Sequence, residues 1–529
     1  MRRVVGILAS PRPLTTYLGI SIIVWVMAVG LLWPHHGAML DWDEVDYVNA
    51  AKLGSSANAL ESGSLWPLEF LRFALSKAQG RDPILPDEYD ESLDPFILRH
   101  FHPPFVVFLL TTISPSRSER VIRSVQVLGS LLLILAMMLS YRIISDSSGW
   151  AGAVVVSLFA LWIVRLVFAS VSFHGWEAIW STTAAVLIAR LCPPAGAPRA
   201  VLWIGLCITL AVSLLTLETG LAVWLAAVLW FVGFRLAYMG HGRMGLGFRN
   251  LIRGVLIALL LIALVWPAVI VKLSLLKTIA IYAYRVQLGK EYMTVSYGRI
   301  ARQVLPVLVL GPVLLLWLLF RARRDCGRWG PFAAVASVYG MSVIPFALQP
   351  HYLGPAIAPL ACVVGYACDR LSRRVVRLAV VGLTCLTIAV AWPVGKADQK
   401  SRHDLEWLAG TLRGQKALVD GGHIYQFYLG PQYAIQSVTV AYDGSSIAVR
   451  ERGHYRDLRV EDVAGRIVVI RERVPNKGVP RPLEKCPWID RFTVRVYDCT
   501  DGRAAAGSED RVVAPSPHSP PGAPDNVSP

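Results

Sequence analysis

Four acidic residues lie within six positions of one another shortly after the first apolar segment, in the stretch Asp41-Trp42-Asp43-Glu44-Val45-Asp46-Tyr47. A carboxylate held beside a reacting hydroxyl acts as a general base. Carboxylates are also common at the wet rim of a membrane helix, where they do no chemistry. Spacing alone does not separate these two interpretations, so the rest of the chain has to decide between them.

A second group suited to chemistry lies in the connector between two long apolar runs. It contains the cations Lys277, Arg285, Lys290 and Arg299 among the tyrosines Tyr282, Tyr284, Tyr292 and Tyr297. Such cations stabilise the negative charge of a phosphate group, including one that departs as a leaving group. Cations at a membrane surface also attract lipid headgroups, which is the ordinary explanation for them. Arg99, His102 and His351 are expected in the same compartment and rank below these cations, because a lone histidine at a helix end is usually interfacial.

The composition is that of a polytopic membrane protein. The chain has 529 residues, of which 54% are hydrophobic and 17% charged, and its mean hydropathy is +0.49. The 52 Lys and Arg residues outnumber the 36 Asp and Glu residues, but the basic residues fall in short clusters between apolar runs. This pattern sets membrane topology and excludes a nucleic-acid partner.

The first apolar run, Tyr17 to Trp33, follows Arg2, Arg3 and Arg12 and lacks a small-residue cleavage site. It predicts an uncleaved span with a cytoplasmic N-terminus. The later run Phe105 to Ile113 is too short to cross a core that needs about 20 helical residues, so it predicts a re-entrant segment. The next span, near 121–141, then runs inward.

Further spans are predicted near 150–169, 176–190, 200–217, 219–237, 252–271, 301–320, 331–348, 352–368 and 377–394. With the re-entrant segment, the arginine-dense connectors around Arg142, Arg190, Arg243, Arg323 and Arg373 all fall in the cytoplasm. Counting 103–113 as a span would invert that pattern, against the positive-inside rule. The prediction is an all-α bundle of about 11 transmembrane helices with the C-terminus outside.

The composition changes after Trp392-Pro393. Asp404 to Leu412 predicts a helix, and strands are predicted at 417–419, 435–442, 466–470 and 492–497. This predicts a small extracytoplasmic α/β domain at 397–503, after a transmembrane domain at 1–396 whose first outer loop is 35–120. Cys486 and Cys499 are placed to pair on the oxidising side. The tail at 504–529, rich in Ser, Pro, Ala and Gly, predicts disorder.

An enzyme working on the outer face of a cell membrane has no access to cytoplasmic nucleotide sugars. Its sugar donor would therefore be a sugar linked to a lipid phosphate. Its active site then needs a base for the acceptor, cations for the phosphate and an apolar channel for the lipid. Asp43 and Glu44 are the candidate bases, and the connector with Lys277 and Arg285 offers the cations. The predicted spans offer the channel.

The motif Asp43-Glu44-Val45-Asp46-Tyr47 resembles the signature of the GT-C glycosyltransferases, in the group of the protein O-mannosyltransferases and the lipid A aminoarabinose transferase. The run His102 to Pro104, Arg123, and Tyr352 with Pro355 and Pro359 are similar to further features of that group. The resemblance covers roughly residues 14–395.

The resemblance implies that Asp43 is the catalytic carboxylate, Glu44 its helper and a polyprenyl-phosphate sugar the donor. Tyr47, Arg99, His102, Glu177 and Tyr352 would bind substrate, and His351 would join the cations at the donor phosphate. The acceptor would be a lipid, a glycan or a protein.

The chain departs from the group's pattern at two places. Asp41 is an additional acid, and Glu177 stands near the position where a second acid is often found at the outer end of the fourth span. No cofactor is certain; Asp41 and Asp43 are of the type that binds Mg²⁺ or Mn²⁺. Two alternatives stay open: a transporter or flippase for lipid-linked glycans, which would carry charges at mid-membrane, and a polysaccharide polymerase or ligase.

Overall fold

The computed structural model describes residues 14–36, 39, 45, 79, 105–113, 119–145, 149–168, 173–191, 200–238, 244–266, 297–344, 350–392, 400–430, 432–440, 447–451, 454–471 and 481–500. The predicted site residues Asp41, Asp43, Glu44, Tyr47, Arg99, His102, Lys277, Arg285 and Lys290 lie outside these ranges, as does the tail 504–529. The helix Tyr297–Gln303 is described, but the side chain of Arg299 is not.

Each of the predicted spans is a helix. The helices are α1 (Leu14–His36), α2 (Phe105–Ile113), α3 (Glu119–Ile144), α4 (Trp150–Val167), α5 (Phe173–Leu191), α6 (Ala200–Thr216), α7 (Gly220–Tyr238), α8 (Met244–Val265), α9 (Tyr297–Gln303), α10 (Leu305–Arg321), α11 (Cys326–Val343), α12 (Gly354–Arg370) and α13 (Arg374–Ala391). Short 3₁₀ turns, Arg323–Asp325 and Pro350–Leu353, lead into α11 and α12.

Length and hydropathy alone identify five of the described helices as membrane-spanning, namely α1, α3, α4, α12 with its 3₁₀ turn, and α13. The pair α10 and α11 adds one more if it is counted as a single span, and the two helices meet at an angle of 100°. Helix α5 is less apolar because it carries Ser, Thr, His and Glu. Most of its side chains are buried against other helices, so they do not meet lipid.

Helix α12 lies at the centre of the bundle, where it packs against α4, α5, α10 and α11. Of its membrane segment, 83% is buried, against 22% for α1 and for α13, which lie at the periphery with apolar side chains turned outward. Helix α2 has nine residues. At 1.5 Å per residue it is about 14 Å long, half of a hydrocarbon core of roughly 30 Å, as the re-entrant prediction requires.

One end of the bundle is rich in arginine, and we call it the arginine end. There α3 ends, α4 begins and α12 ends, with Arg142, Arg321, Arg323, Arg324, Arg328, Arg370, Arg373, Arg374 and Arg377 around them. The buried carboxylate of Asp369 accepts hydrogen bonds from the Tyr141 hydroxyl, from Ser145 Oγ at 3.2 Å and from the Gly152 backbone N–H at 2.9 Å. This contact ties α3, α4 and α12 together.

The C-terminal domain contains the helices α14 (Lys400–Thr411), α15 (Gly422–Leu429) and α16 (Val460–Val463), and the strands β1 (Lys416–Asp420), β2 (Ala434–Val440), β3 (Ile447–Glu451), β4 (His454–Asp457), β5 (Ile467–Arg471), β6 (Trp488–Asp490) and β7 (Val494–Asp498). They form one sheet in the order β4-β3-β2-β1-β5-β7-β6. Strands β2 and β5 run parallel to β1, and the outer pairs are antiparallel.

The two faces of this sheet bury different cores, because successive side chains of a strand point to opposite faces. Val419, Val469 and Val496 belong, with Leu408 of α14, to the same hydrophobic cluster as the membrane bundle. Leu418, Val468 and Tyr497 form a second cluster on the other face. That second face also holds Cys486 and Cys499, which form a disulfide with their Cα atoms 5.1 Å apart.

Candidate active site

The end of the bundle opposite the arginine end brings the described candidate residues together, and we call it the site end. Here α4 ends, α5 begins, α6 turns into α7, and the 3₁₀ turn Pro350–Leu353 leads into α12. Close packing at this end depends on glycine. A Cβ at Gly354 would lie 2.4 Å from Val167 Cγ1, and one at Gly175 would lie 2.7 Å from the Phe168 ring. The starts of α5 and α12 therefore pack directly against the end of α4.

Three aromatic rings meet where α5 and α12 begin. The ring centroid of His174 lies 4.3 Å from that of Tyr352 and 5.0 Å from that of His351. The rings of His351 and Tyr352 stack at 4.8 Å with an interplanar angle of 23°. His174 is buried, whereas His351 and Tyr352 are partly exposed. The structure thus joins two predicted site residues, His351 and Tyr352, to a histidine from a different helix.

Glu177 lies one helical turn further along α5 and is completely buried. Its Oε1 accepts a hydrogen bond of 2.6 Å from Ser213 Oγ of α6, and no described group bonds its Oε2. A Cβ at Gly220 would lie 2.6 Å from the Ser213 backbone, so this glycine allows α7 to start against α6. The structure therefore buries this predicted substrate-binding carboxylate against α6, one helical turn from His174.

Further polar groups line the same end. The Tyr339 hydroxyl of α11 lies 2.6 Å from Thr219 Oγ1 in the turn between α6 and α7. Arg123 in α3 and Arg165 in α4 are both buried with 6% exposure. Each lies within five residues of the site end of its helix. A buried guanidinium is stable only beside polar or negatively charged groups. The burial of these two arginines therefore indicates that the protein interior at the site end is polar.

Sequence reasoning missed His174 as a member of the cluster, although the spacing of His174 and Glu177 carries a signal. Residues three apart on a helix share a face. It also missed Ser213, because the contact to Glu177 joins residues 36 positions apart on two different helices. Arg123 was among the residues of the family resemblance, and its burial in α3 was not foreseen.

Of the acidic stretch at 41–47, the described residue is Val45, which is fully buried. It belongs to the hydrophobic cluster shared by the membrane helices. The chain therefore returns to the bundle core within the motif itself. Among the described residues, no group of three His, Cys, Asp or Glu side chains is arranged to hold a metal ion. Asp41 and Asp43, the predicted metal ligands, lie outside them.

Comparison with solved structures finds the same architecture elsewhere. ArnT from Cupriavidus metallidurans bound to undecaprenyl phosphate superimposes with a TM-score of 0.53 at 13% sequence identity, covering 91% of this chain and 97% of that chain. Its apo state gives 0.51 at 13% identity, with coverages of 93% and 99%. An Archaeoglobus fulgidus oligosaccharyltransferase gives 0.47 at 12% identity, with coverages of 79% and 64%.

No protein-family model matches the sequence, and no curated protein matches it significantly. The structural likeness to ArnT extends over nearly the whole of both chains, so the membrane fold of this chain is the GT-C fold. This confirms the predicted fold class. Identity at this level establishes the fold alone, and activity has to be inferred from the site.

Proposed function

We propose that this protein is a membrane glycosyltransferase that moves a sugar from a polyprenyl-phosphate donor to an acceptor at the site end, with Asp43 as the base. The proposal depends most on one observation: the first turns of α5 and α12 meet at the site end, and the imidazole rings of His174 and His351 lie at that junction. The carbonyl oxygen of His174 at the start of α5 lies 4.0 Å from a Cβ built on Gly354 at the start of α12. His174 and His351 lie beside each other at that junction.

The junction suits an anion for electrostatic reasons. The start of a helix carries a partial positive charge, which favours phosphate. Two such starts reinforce each other, and histidine side chains add N–H donors. The surrounding apolar bundle keeps the local dielectric low, which strengthens these interactions. We infer that a lipid-linked phosphate binds here, through His351 as predicted and through His174 in addition.

The remaining catalytic residues would come from the segments that connect the membrane helices. Asp43, with Glu44 as helper, would take the proton of the acceptor hydroxyl as that oxygen attacks the sugar C1, while the C1–O bond to the phosphate breaks. Lys277, Arg285, Lys290 and Arg299 would stabilise the phosphate that leaves with the lipid. The structure of ArnT that binds undecaprenyl phosphate supports a donor of this lipid class for the present fold.

Substrate contacts would come from the residues around the cluster. Tyr47, Arg99 and His102 are proposed from the sequence, and Tyr352 lies at the open side of the ring cluster. Glu177 would contribute its negative charge from a buried position, since it is enclosed by protein and accepts a hydrogen bond from Ser213. A divalent cation bound by Asp41 and Asp43 would add charge to the same site.

The charge distribution supports an orientation for the enzyme. The arginine end would face the cytoplasm by the positive-inside rule, which places the site end outside. The C-terminal domain, at 397–503, would then lie in the extracytoplasmic space, where the disulfide between Cys486 and Cys499 is stable. We place the protein in the cell membrane with its N-terminus in the cytoplasm.

A transporter for lipid-linked glycans is the second function considered, and the placement of charge disfavours it. Carriers bind their substrate near the bilayer midplane. Among the described spans, the buried charged side chains are Arg123, Arg165, Glu177 and Asp369. All four lie within five residues of a helix end. Three of them lie at the site end and Asp369 lies at the arginine end, so none of the four lies at the middle of a span, and the three at the site end suit a site at that membrane surface.

The experiment that tests the proposal is transfer from defined donors. Purified protein is incubated with radiolabelled polyprenyl-phosphate sugars, one sugar at a time, and the release of lipid phosphate is measured. Release from one of these donors is the expected result. Release only from a glycan on a lipid diphosphate would indicate a polymerase or ligase instead, and binding without release would indicate a transporter.

A further inference from the structure

The turn between β6 and β7 exposes apolar side chains beside cations. Ile489 and Phe492 are 58% and 60% exposed. The Nζ atom of Lys400 lies 5.8 Å from the centre of the Phe492 ring, and the guanidinium of Arg491 lies 4.1 Å from that of the Trp407 ring. Lys400, Arg491 and Phe492 are exposed. We call Ile489, Phe492, Lys400 and Arg491 the hairpin patch.

We propose that the hairpin patch inserts into the headgroup layer of the membrane on the site-end side, where it binds anionic lipid. The patch has the composition of an interfacial anchor, in which aromatic and aliphatic side chains enter the acyl boundary while cations contact headgroups. It is held rigidly, because Asp404 of α14 accepts hydrogen bonds from the backbone N–H groups of Phe492 and Thr493 at 3.3 and 2.6 Å.

The length of the chain before α14 puts the patch within reach of the membrane. Helix α13 ends at Ala391 with Trp392 as its cap, and seven residues, 393–399, precede Lys400. Eight Cα steps of up to about 3.5 Å place Lys400 within roughly 28 Å of the end of that span. Phe492 lies against Lys400, so it shares this limit.

The packing of the domain indicates which side of the sheet faces the membrane. Ile489 pairs with Val496 across the strands. Val496 and Leu408 of α14 belong to the hydrophobic cluster that continues into the membrane bundle. Ile489 and α14 are therefore on the bundle side of the sheet. The opposite side carries its own closed cluster, with α16 packed over it.

The charges favour a lipid surface over a second protein copy. Two acids adjoin the patch: Asp404 is buried and accepts backbone hydrogen bonds from the turn, and Asp490 is engaged by Arg495 through two hydrogen bonds of 2.5 and 2.9 Å. Lys400 and Arg491 are both exposed beside Phe492, while Glu406 lies further along α14. Two like-charged patches would repel each other, whereas anionic headgroups complement them.

The test uses the whole protein in lipid nanodiscs and does not depend on catalysis. A fluorophore is attached at Phe492→Cys, in a background without the free cysteines but with the Cys486–Cys499 bond. A second probe at Val460→Cys is the matched control. Val460 is an apolar residue of the same domain with 48% exposure, and it lies on α16 over the other face. Quenching is measured with lipids that carry a nitroxide in the headgroup or acyl region.

We expect quenching at 492 to exceed that at 460 by several fold in anionic nanodiscs. We also expect it to decrease by at least half when Lys400 and Arg491 are both changed to Gln. Equal quenching at the two positions would overturn the proposal, as would strong quenching at 492 that ignores both lipid charge and the Gln substitutions. A 492 probe that is shielded from water but is quenched by neither nitroxide lipid would indicate a protein contact and would also overturn the proposal. These outcomes are independent of any sugar transfer.

Discussion

The hydroxyl of Ser181 in α5 donates a hydrogen bond of 2.8 Å to the backbone carbonyl of Pro355 in α12. Within α12 that carbonyl would accept the N–H of residue 359, but residue 359 is a proline inside the helix and has no N–H. The serine of a neighbouring helix therefore satisfies an acceptor that proline leaves open. This contact fixes α12 against α5 just below the cluster of His174, His351 and Tyr352.

The Ser181–Pro355 contact yields a prediction about stability. Ser181→Ala leaves a buried carbonyl without a partner, so we expect a loss of about 1–3 kcal/mol. Adding Pro359→Ala restores an N–H within α12, and the double variant should recover most of the loss. Thermal unfolding in detergent measures both. Ser157→Ala is the control, because Ser157 Oγ donates to the Ala153 carbonyl of its own helix, which keeps its backbone partner. Failure of Pro359→Ala to compensate would refute the explanation.

A second prediction concerns the glycines around Asp369. A Cβ at Gly152 would lie 2.4 Å from the carbonyl oxygen of Gly365 and from the Tyr141 hydroxyl. Gly152→Ala should therefore destabilise the bundle by about 1–3 kcal/mol or more, through overpacking. Gly382→Ala is the control, since a Cβ there meets nothing within 4 Å. The control should leave the unfolding temperature unchanged or raise it slightly, and similar losses in both variants would contradict the packing account.

Much of the membrane architecture followed from the sequence, because the bilayer imposes simple rules. Every predicted span is a helix, and the short run at 105–113 is a nine-residue helix. The strands at 417–419, 435–442, 466–470 and 492–497 correspond to β1, β2, β5 and β7, since buried strands carry continuous apolar residues. Strands β3 and β4 were missed because both are short and β4 is a polar edge strand, and β6 was missed because it has three residues.

The candidate site was only partly accessible from the sequence. His351 and Tyr352 were selected by residue type and position, and the structure brings them together with His174. The contacts of Glu177 with Ser213 and of Asp369 with Tyr141 join separate helices. Such contacts depend on how the helices are rotated against each other, and apolar periodicity does not determine that for helices buried on all sides.

Topology gives a third prediction. If 103–113 enters the membrane and returns, a cysteine at Ser116 lies outside and reacts with a membrane-impermeant thiol reagent on intact cells. Ser372→Cys, an exposed position at the arginine end, should react only after the cells are opened. The reverse pattern would invert the orientation, and reaction at both positions in intact cells would indicate leaky cells or a wrong span count.

The fourth prediction concerns the donor phosphate. Lys277→Ala and Arg285→Ala each remove a cation, and the loss of one charge-assisted hydrogen bond of about 1.5–3 kcal/mol weakens donor binding by roughly 10- to 150-fold. Arg373→Ala, at an exposed site of the arginine end, should not change the affinity. Binding of a non-transferable donor analogue measures this effect separately from turnover. Unchanged affinity in both connector variants would make those cations ordinary headgroup ligands.

The measurement that tests the central claim most directly compares Asp43→Asn with Asp41→Asn. The asparagine keeps the size of the side chain but removes its basicity, so Asp43→Asn should lower turnover by about 10²- to 10⁴-fold while donor binding survives. Asp41→Asn should cost little, because the match to the motif begins at Asp43, and on a helix two residues that are two positions apart do not face each other. Normal turnover in Asp43→Asn beside an inactive Asp41→Asn would move the base to Asp41, and normal turnover in both would contradict any role of this stretch in the chemistry.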